Sequence, residues 1–462
     1  MKKKYYINGN IVDPYNSLNE QGGLIVGEDG KIEGIGKKVN SNNIPSREKF
    51  IDLKGKYIFP GIVDMKVFVG EPGFEYKENF RTLSNAALSG GVTSVVSMPN
   101  TSPVIDNVSM VDFLKRRGRD KSRINIFPSA TLTKNTEGKQ MTEFGLLTKK
   151  GIVAFTDGVK AVQNPQVMAR IMNFASQSES LIMQHAEDNI LSEGGLINEG
   201  EISTRLGLKG IPFLAEKIIV ERDLSFLEEY FCRYHISQIS SEKTISVIKK
   251  AKNEGKIFTT GVSINNLSLN ENDIGDFKTF LKLSPPLRTE NDRQSLIESV
   301  NNGTIDVIVS DHKPEDEESK RLTFSQATTG ATGVETLLPL ILELFHSKSA
   351  KLVKLIASIR SNPAKILGIN KGSLEKGNDA DLCVFDINKP WVVNKNKLKS
   401  KSKNTPIEHR KLQGQILKTF VKGEMLYTCN NHTTILPLTN PIIMSVSFFG
   451  TCLSILVEIL GW

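Results

Sequence analysis

A chain of 462 residues with 39% hydrophobic and 24% charged side chains, 36 Gly and 18 Pro is neither disordered, collagen-like nor a polytopic membrane protein. Its formal net charge is +8, from 59 Lys and Arg against 51 Asp and Glu, a mild excess that reads as a solubility field and gives no reason to expect nucleic-acid binding. The four cysteines, Cys232, Cys383, Cys429 and Cys452, show no Cys-x-x-Cys spacing, so they offer neither a disulfide framework nor a thiolate zinc site, and a reducing, cytoplasmic compartment is expected.

The N-terminal residues Met1 to Asn10 are basic but precede no apolar run, so no secretory signal is expected. Residues 5–52 read as short strands, with a turn at Asn8-Gly9 and a hairpin from Gly23 to Gly36 turning at Asp29-Gly30. Further strands are predicted at Ala380 to Asp386 and Leu417 to Tyr427. Neither end has enough strands for a core of its own, which predicts that the two ends pair.

Between them, apolar runs alternate with helix-like segments: Thr93 to Met98, Gly151 to Phe155, Leu181 to His185 and Ile305 to Ser310. Strands covered on both faces read this way. Such alternation predicts an α/β barrel with its site at the C-terminal strand ends. No repeat of 20–50 residues is evident. The Lys-rich stretch Asn394 to Lys403 is expected to be a solvated loop. From Ile442 to Trp462 the one charged residue is Glu458, and this mostly apolar run of about 20 residues matches a membrane span in length. A tail anchor, a covering helix and an extension unrelated to the fold (readthrough or a frame error) compete for this tail. The last is favoured because the rest of the chain reads as complete without it.

Polar residues gather where the predicted strands end. Asp64, Lys66 and Phe68 follow the run Phe59 to Val63 and share one face by the two-residue period. Asp157, His185 and the pair Asp311-His312 end three other runs. Singly, each carboxylate could cap the next helix. Together they are the raw material of a metal-assisted hydrolase.

Several longer segments then resemble the dihydroorotase branch of the amidohydrolase superfamily, from about residue 5 to 427: Phe59-Pro60-Gly61-Ile62-Val63-Asp64, Glu71 to Glu78, Ser97 to Asp106, Gly194 to Gly200, Ser284-Pro285-Pro286-Leu287-Arg288 and Gly303 to Ile308. The resemblance implies an α/β fold, an amidohydrolase-type distorted (β/α)8 barrel at 56–369 plus a small β-sandwich domain formed by both chain ends, 1–55 with 370–428, leaving 429–462 as a hydrophobic tail outside the family fold. It also implies two divalent metals that polarise a cyclic amide carbonyl and activate a hydroxide.

The motifs depart from that family where it binds metal. The first strand should end Asp-x-His-x-His, followed by Arg just before Glu-Pro-Gly; here Lys66 and Phe68 replace the histidines and Gly70 replaces the Arg that would hold the substrate carboxylate. In His235-Ile236-Ser237-Gln238, Gln238 stands where a ligand histidine is expected, and the family's His-His segment reads Ile264-Asn265-Asn266-Leu267. Retained are Asp157 at the bridging position, His185 as a ligand and Asp311 as a vestigial general base, with Asn100 and His312 at substrate-contacting positions.

Neither Phe nor an ammonium can ligate a cation. Lys66 is therefore expected to occupy the vacated metal pocket, within salt-bridge reach of Asp157 or Asp311, offsetting their mutual repulsion. No cofactor is expected; the alternative is one zinc on Asp157, His185 and Asp311. Three functional readings follow. One is a catalytically inactive dihydroorotase homologue supporting aspartate transcarbamoylase as a structural subunit, a partner implied by the resemblance of Asp64 to Glu71 and Gly261 to Asp273 to a divergent subgroup. The second is an active dihydroorotase, allantoinase-like or hydantoinase-like cyclic amidase with a reduced metal site. The third is a vestigial fold. An oligomer is expected, and a membrane partner only if the 442–462 tail is genuine.

Overall fold

A computed structural model describes residues 2–45 and 48–429. All three readings of the apolar tail therefore fall outside the described residues. Within them, no helix is long and apolar enough to cross a membrane.

The chain opens with five strands, β1 (Lys4–Asp13), β2 (Leu18–Val26), β3 (Ile32–Gly36), β4 (Phe50–Asp52) and β5 (Tyr57–Pro60). Next come β6 (Ile62–Val67), β7 (Val92–Ser97), β8 (Asn125–Ala130), β9 (Ala154–Phe155) and β10 (Leu181–Gln184). A two-stranded ribbon, β11 (Ile197–Asn198) with β12 (Gly210–Ile211), precedes β13 (Arg233–Ile236), β14 (Thr259–Ser263) and β15 (Val307–Val309). The chain returns through β16 (Leu382–Val392), β17 (Lys411–Val421) and β18 (Glu424–Thr428).

Strands β6 to β10 and β13 to β15 pair in parallel, in the order β15-β14-β13-β10-β9-β8-β7-β6. A parallel bridge between Val67 and His312 closes the ring, and the Phe68 N–H donates to the His312 carbonyl at 2.9 Å. Helices on the outside include Phe80–Ser89, Val108–Lys121, Pro165–Ser178 and Phe213–Phe226. One apolar cluster takes Ile62, Val92, Val95, Ile182 and Val262, and another takes Val63, Met65, Val96, Met183 and Val307. Every residue of β6, β7, β10 and β15 is buried, which is why these strands show no strict apolar–polar alternation. This is the α/β barrel that the strand alternation predicts.

The two chain ends join in one eight-stranded sheet, ordered β18-β17-β16-β5-β1-β2-β3, with β4 on β1. Buried Arg360 ties it to the barrel: its Nε donates to the Pro60 carbonyl at 2.6 Å, and the guanidinium lies 4.7 Å from the Phe59 ring centroid. Its Nη2 donates to Cys383 Sγ at 3.7 Å and its Nη1 has no partner among the described residues, so the buried charge is only partly compensated.

Four local expectations change. The run Phe59 to Val63 is two strands, because Gly61 breaks it. A Cβ there would sit 2.0 Å from Thr93 Oγ1, and the Gly61 N–H donates to the Asp381 carbonyl at 2.8 Å. Tyr57–Pro60 consequently pairs with β1 and β16, carrying the terminal sheet past the expected boundary at 55. The Asn8-Gly9 turn is a bulge inside β1, with Asn8 at φ 55° and the register shifting between Tyr6 and Gly9. Leu417 to Tyr427 is a hairpin turning at Lys422-Gly423, with φ of 50° and 73°.

Candidate active site

Asp64 stands midway along β6, and the other residues singled out from the sequence stand at or just beyond the C-terminal ends of barrel strands: Lys66 and Phe68 from β6, Asn100 after β7, Asp157 after β9, His185 after β10, Gln238 after β13, Asp311 and His312 after β15. Lys66 is 1% exposed; its Nζ lies 3.5 Å from Asp311 Oδ1 and donates to Gln238 Oε1. Burial pulls the Lys66 pKa below its ordinary value, and the Asp311 charge opposes that pull. Phe68 lies between two cations, with Lys66 Nζ 6.0 Å and Lys313 Nζ 5.9 Å from its ring centroid. The ring faces ammonium groups and offers no lone pair.

Asp157 does not pair with Lys66 but is held by one neighbour. Its Oδ1 accepts from the Thr133 N–H at 3.0 Å and its Oδ2 from Thr133 Oγ1 at 2.6 Å. Burial pushes its pKa up to about 6, with the Thr133 bonds pulling the other way. Asn100 Nδ2 donates to the Asp157 carbonyl at 3.0 Å while its Oδ1 has no partner. Gly158, at φ 73°, makes room for that amide: a Cβ would lie 1.6 Å from Asn100 Oδ1.

His185 Nε2 is 3.6 Å from Glu187 Oε2 and 3.5 Å from Ser284 Oγ, and its Nδ1 has no partner. Burial raises the Glu187 pKa, but His185, Ser192 and Arg288 outweigh it and leave the carboxyl below its usual value. Asp64 is fully buried; its Oδ1 accepts from the Lys66 and Ser310 N–H groups, both at 3.3 Å, and burial raises its pKa to about 6.

Behind His312 stands a polar layer that the sequence reading missed. His312 Nδ1 accepts from the Gly333 N–H at 3.2 Å, and its Nε2 is 3.6 Å from Glu78 Oε2. Glu78 in turn accepts from Ser400 Oγ at 2.5 Å and from the Lys401 N–H at 3.3 Å, and the Lys399 and Ser400 N–H groups bind Glu335. The stretch from Asn394 to Lys403 is thus a correction to the expected solvated loop. Ser400 Oγ turns inward to buried Glu78 and Ser402 Oγ to the Lys77 carbonyl, backbone N–H groups reach half-buried Glu335, and Lys397 and Lys401 face out. Charge composition alone hides this, because the inward groups are Ser side chains and backbone amides.

At Gly70, φ is 78°, and a Cβ would lie 2.8 Å from the carbonyl oxygens of both Phe74 and Glu78. The position that the resemblance gives to an Arg has a backbone suited to glycine. The segment Ile264 to Leu267 forms the start of a short helix, Ile264–Ser268, capped by Ser263.

The family implies a metal pair, and the side chains here do not fit one. Among the described residues, no three His, Cys, Asp or Glu come together in a way that could hold a metal ion. Lys66 engages Asp311 and Gln238, Thr133 occupies both oxygens of Asp157, and His185 faces Glu187. Glu187, Thr133, Ser284 and Lys313 were not singled out as site residues. Lys313 directly follows His312 and Glu187 stands two residues after His185, the one signal that could have exposed them.

The parallel barrel with polar strand ends defines an amidohydrolase-type protein. A family described as dihydro-orotase-like matches residues 55–244. The dihydroorotase of Ehrlichia canis (strain Jake) is 40% identical over 425 residues, covering 92% of this chain and 94% of the relative. That of Syntrophus aciditrophicus (strain SB) is 40% identical over 419 residues, covering 91% and 98%. An L-hydantoinase structure from Arthrobacter aurescens superposes with a TM-score of 0.82 at 23% identity, covering 92% of this chain and 96% of that one, a likeness of fold. The chain belongs to the dihydroorotase family.

Proposed function

We propose that this chain is a dihydroorotase homologue that does not open the ring and instead serves aspartate transcarbamoylase as a structural subunit in pyrimidine synthesis. The observation that carries the loss of hydrolysis is the Lys66 ammonium, bound to Asp311 and Gln238 at positions the family resemblance assigns to metal chemistry. A second cation in that space would meet a like charge and lack histidine donors. Without metal, the attacking water has a pKa of about 15.7 instead of about 7, equivalent to about 12 kcal/mol in forming hydroxide. Gly70 removes the guanidinium that would orient the substrate carboxylate, a second and independent loss.

The partner rests on the resemblance of the Asp64 to Glu71 and Gly261 to Asp273 segments to a divergent subgroup. The buried free thiols of Cys232 and Cys383 suit the cytoplasm. The alternative, an active cyclic amidase, is favoured by the retention of Asn100, Asp157, His185 and Asp311 and by relatives named dihydroorotase.

Dihydroorotate hydrolysis by the purified chain tests the first half. The expected rate equals that of Asp311→Asn; a rate above background that disappears in Asp311→Asn would establish the alternative. Size-exclusion chromatography with the transcarbamoylase tests the second half. Co-elution is expected, and two independent peaks at micromolar concentration would contradict it.

A further inference from the structure

We infer that a basic cleft between the barrel and the terminal sheet binds an acidic, partly apolar segment of a partner protein. The cleft has a volume of about 580 Å³ and runs between the C-terminal end of helix Val108–Lys121 and the β17–β18 turn. Lys115, Arg119, Arg123 and Lys422 line it, against one carboxylate, Glu424. Lys115, Arg119 and Lys422 are exposed.

Among the described residues, the Lys115 charge meets no carboxylate, and Arg119 meets only its exposed neighbour. Arg119 pairs with Asp120, its own exposed neighbour, at 3.1 Å, and Lys115 Nζ donates to the Lys150 carbonyl at 3.1 Å, a neutral partner. Arg123 Nη2 reaches Glu424 at 3.4 Å. Cations in the last turn of a helix complement its dipole, which accounts for Arg119 and Lys121. That account does not cover Lys422, which arrives from a strand turn far along the chain. Convergence of cations from two separate elements on one concavity is the arrangement that concentrates field and steers an anionic partner.

The rest of the lining selects the kind of anion. Ile124, Val421 and Leu426 are buried beneath the cleft, and Ile126 is half-buried beside them. A segment that mixes carboxylates with aliphatic side chains matches both surfaces. Single-stranded nucleic acid would need aromatic platforms, and the lining holds one aromatic, half-buried Phe127. The cleft lies away from the strand-end residues described above, so this inference goes beyond the subunit reading and does not require loss of ring opening.

The test uses the full chain and a fluorescein-labelled peptide of repeating Glu-Leu-Glu triplets, read by anisotropy. Saturable binding is expected, weakened at least about tenfold by Lys115→Glu combined with Arg119→Glu, and unchanged by Lys354→Glu, an exposed helical residue outside the cleft lining. Circular dichroism melts of the variants verify that the fold is retained. Absence of peptide binding, or equal affinity in the double variant, would overturn the inference. Tighter binding of tripolyphosphate or poly-uridylate RNA than of the peptide would also overturn it, marking a general phosphate site.

Discussion

Lys66 Nζ lies 3.5 Å from Asp311 Oδ1 in the barrel mouth, with 1% of the lysine side chain and 11% of the aspartate side chain exposed. A buried charge is costly when alone and tolerable when paired, so each partner explains the presence of the other. Lys66→Met should strand Asp311 and free Gln238 Oε1, destabilising the fold by about 2–4 kcal/mol in urea unfolding. In the Lys66→Met background, Asp311→Asn should recover much of that loss. Additive single effects would show that the two groups do not interact energetically.

Gly70→Arg restores a guanidinium at the family position but not its setting. With φ at 78° and two carbonyl oxygens 2.8 Å from where a Cβ would sit, the substitution should cost about 1–3 kcal/mol. It should also leave dihydroorotate hydrolysis at background. A neutral melting temperature together with new activity would contradict this reading.

Asp157 sets a pH dependence. Its folded pKa of about 6 lies above the ordinary carboxylate value, with burial the main cause. Between about pH 4 and 6 the folded chain therefore holds a proton that the unfolded chain has released, and its contribution to stability falls as pH rises through that window. Above about pH 6 the penalty is complete, on the order of 3 kcal/mol. Asp64, also at about 6, acts with the same sign. Lys66 has the opposite one: its lowered folded pKa makes stability rise with pH from that value up to 10.5. Urea titrations of Asp157→Asn across pH 4–8 should show a flatter profile than the parent chain; an identical profile would contradict the assignment.

Ser400→Ala tests the inward face of the Lys-rich segment. Losing the 2.5 Å bond to buried Glu78 should cost about 1–3 kcal/mol, since Glu78 also faces His312. A change below about 0.3 kcal/mol would mean that this segment behaves as a solvated loop.

Legibility followed the strength of the local signal. Runs such as Leu181–Gln184 and Val307–Val309 are mostly apolar because both faces are covered, so the barrel was readable from its strands. The pairing of both chain ends was readable because neither end could bury a core alone. Gly61 was not read as a strand break, since its cause is the close approach of Thr93 from another strand. The sequence narrowed the Lys66 partner to Asp157 or Asp311. It could not reveal that Thr133, far away in the chain, holds Asp157 and leaves Asp311 for the lysine. Glu78 and Ser400 meet across more than three hundred residues, a contact that no local pattern encodes.

Divalent-metal stoichiometry of the purified chain, truncated after Thr428 and measured by elemental mass spectrometry before and after zinc is offered, tests most directly whether the Lys66 ammonium has replaced the metals. Near-zero metal in both samples is the predicted result. One tightly held zinc per chain, lost in His185→Ala and Asp157→Asn, would contradict it and restore the hydrolase reading.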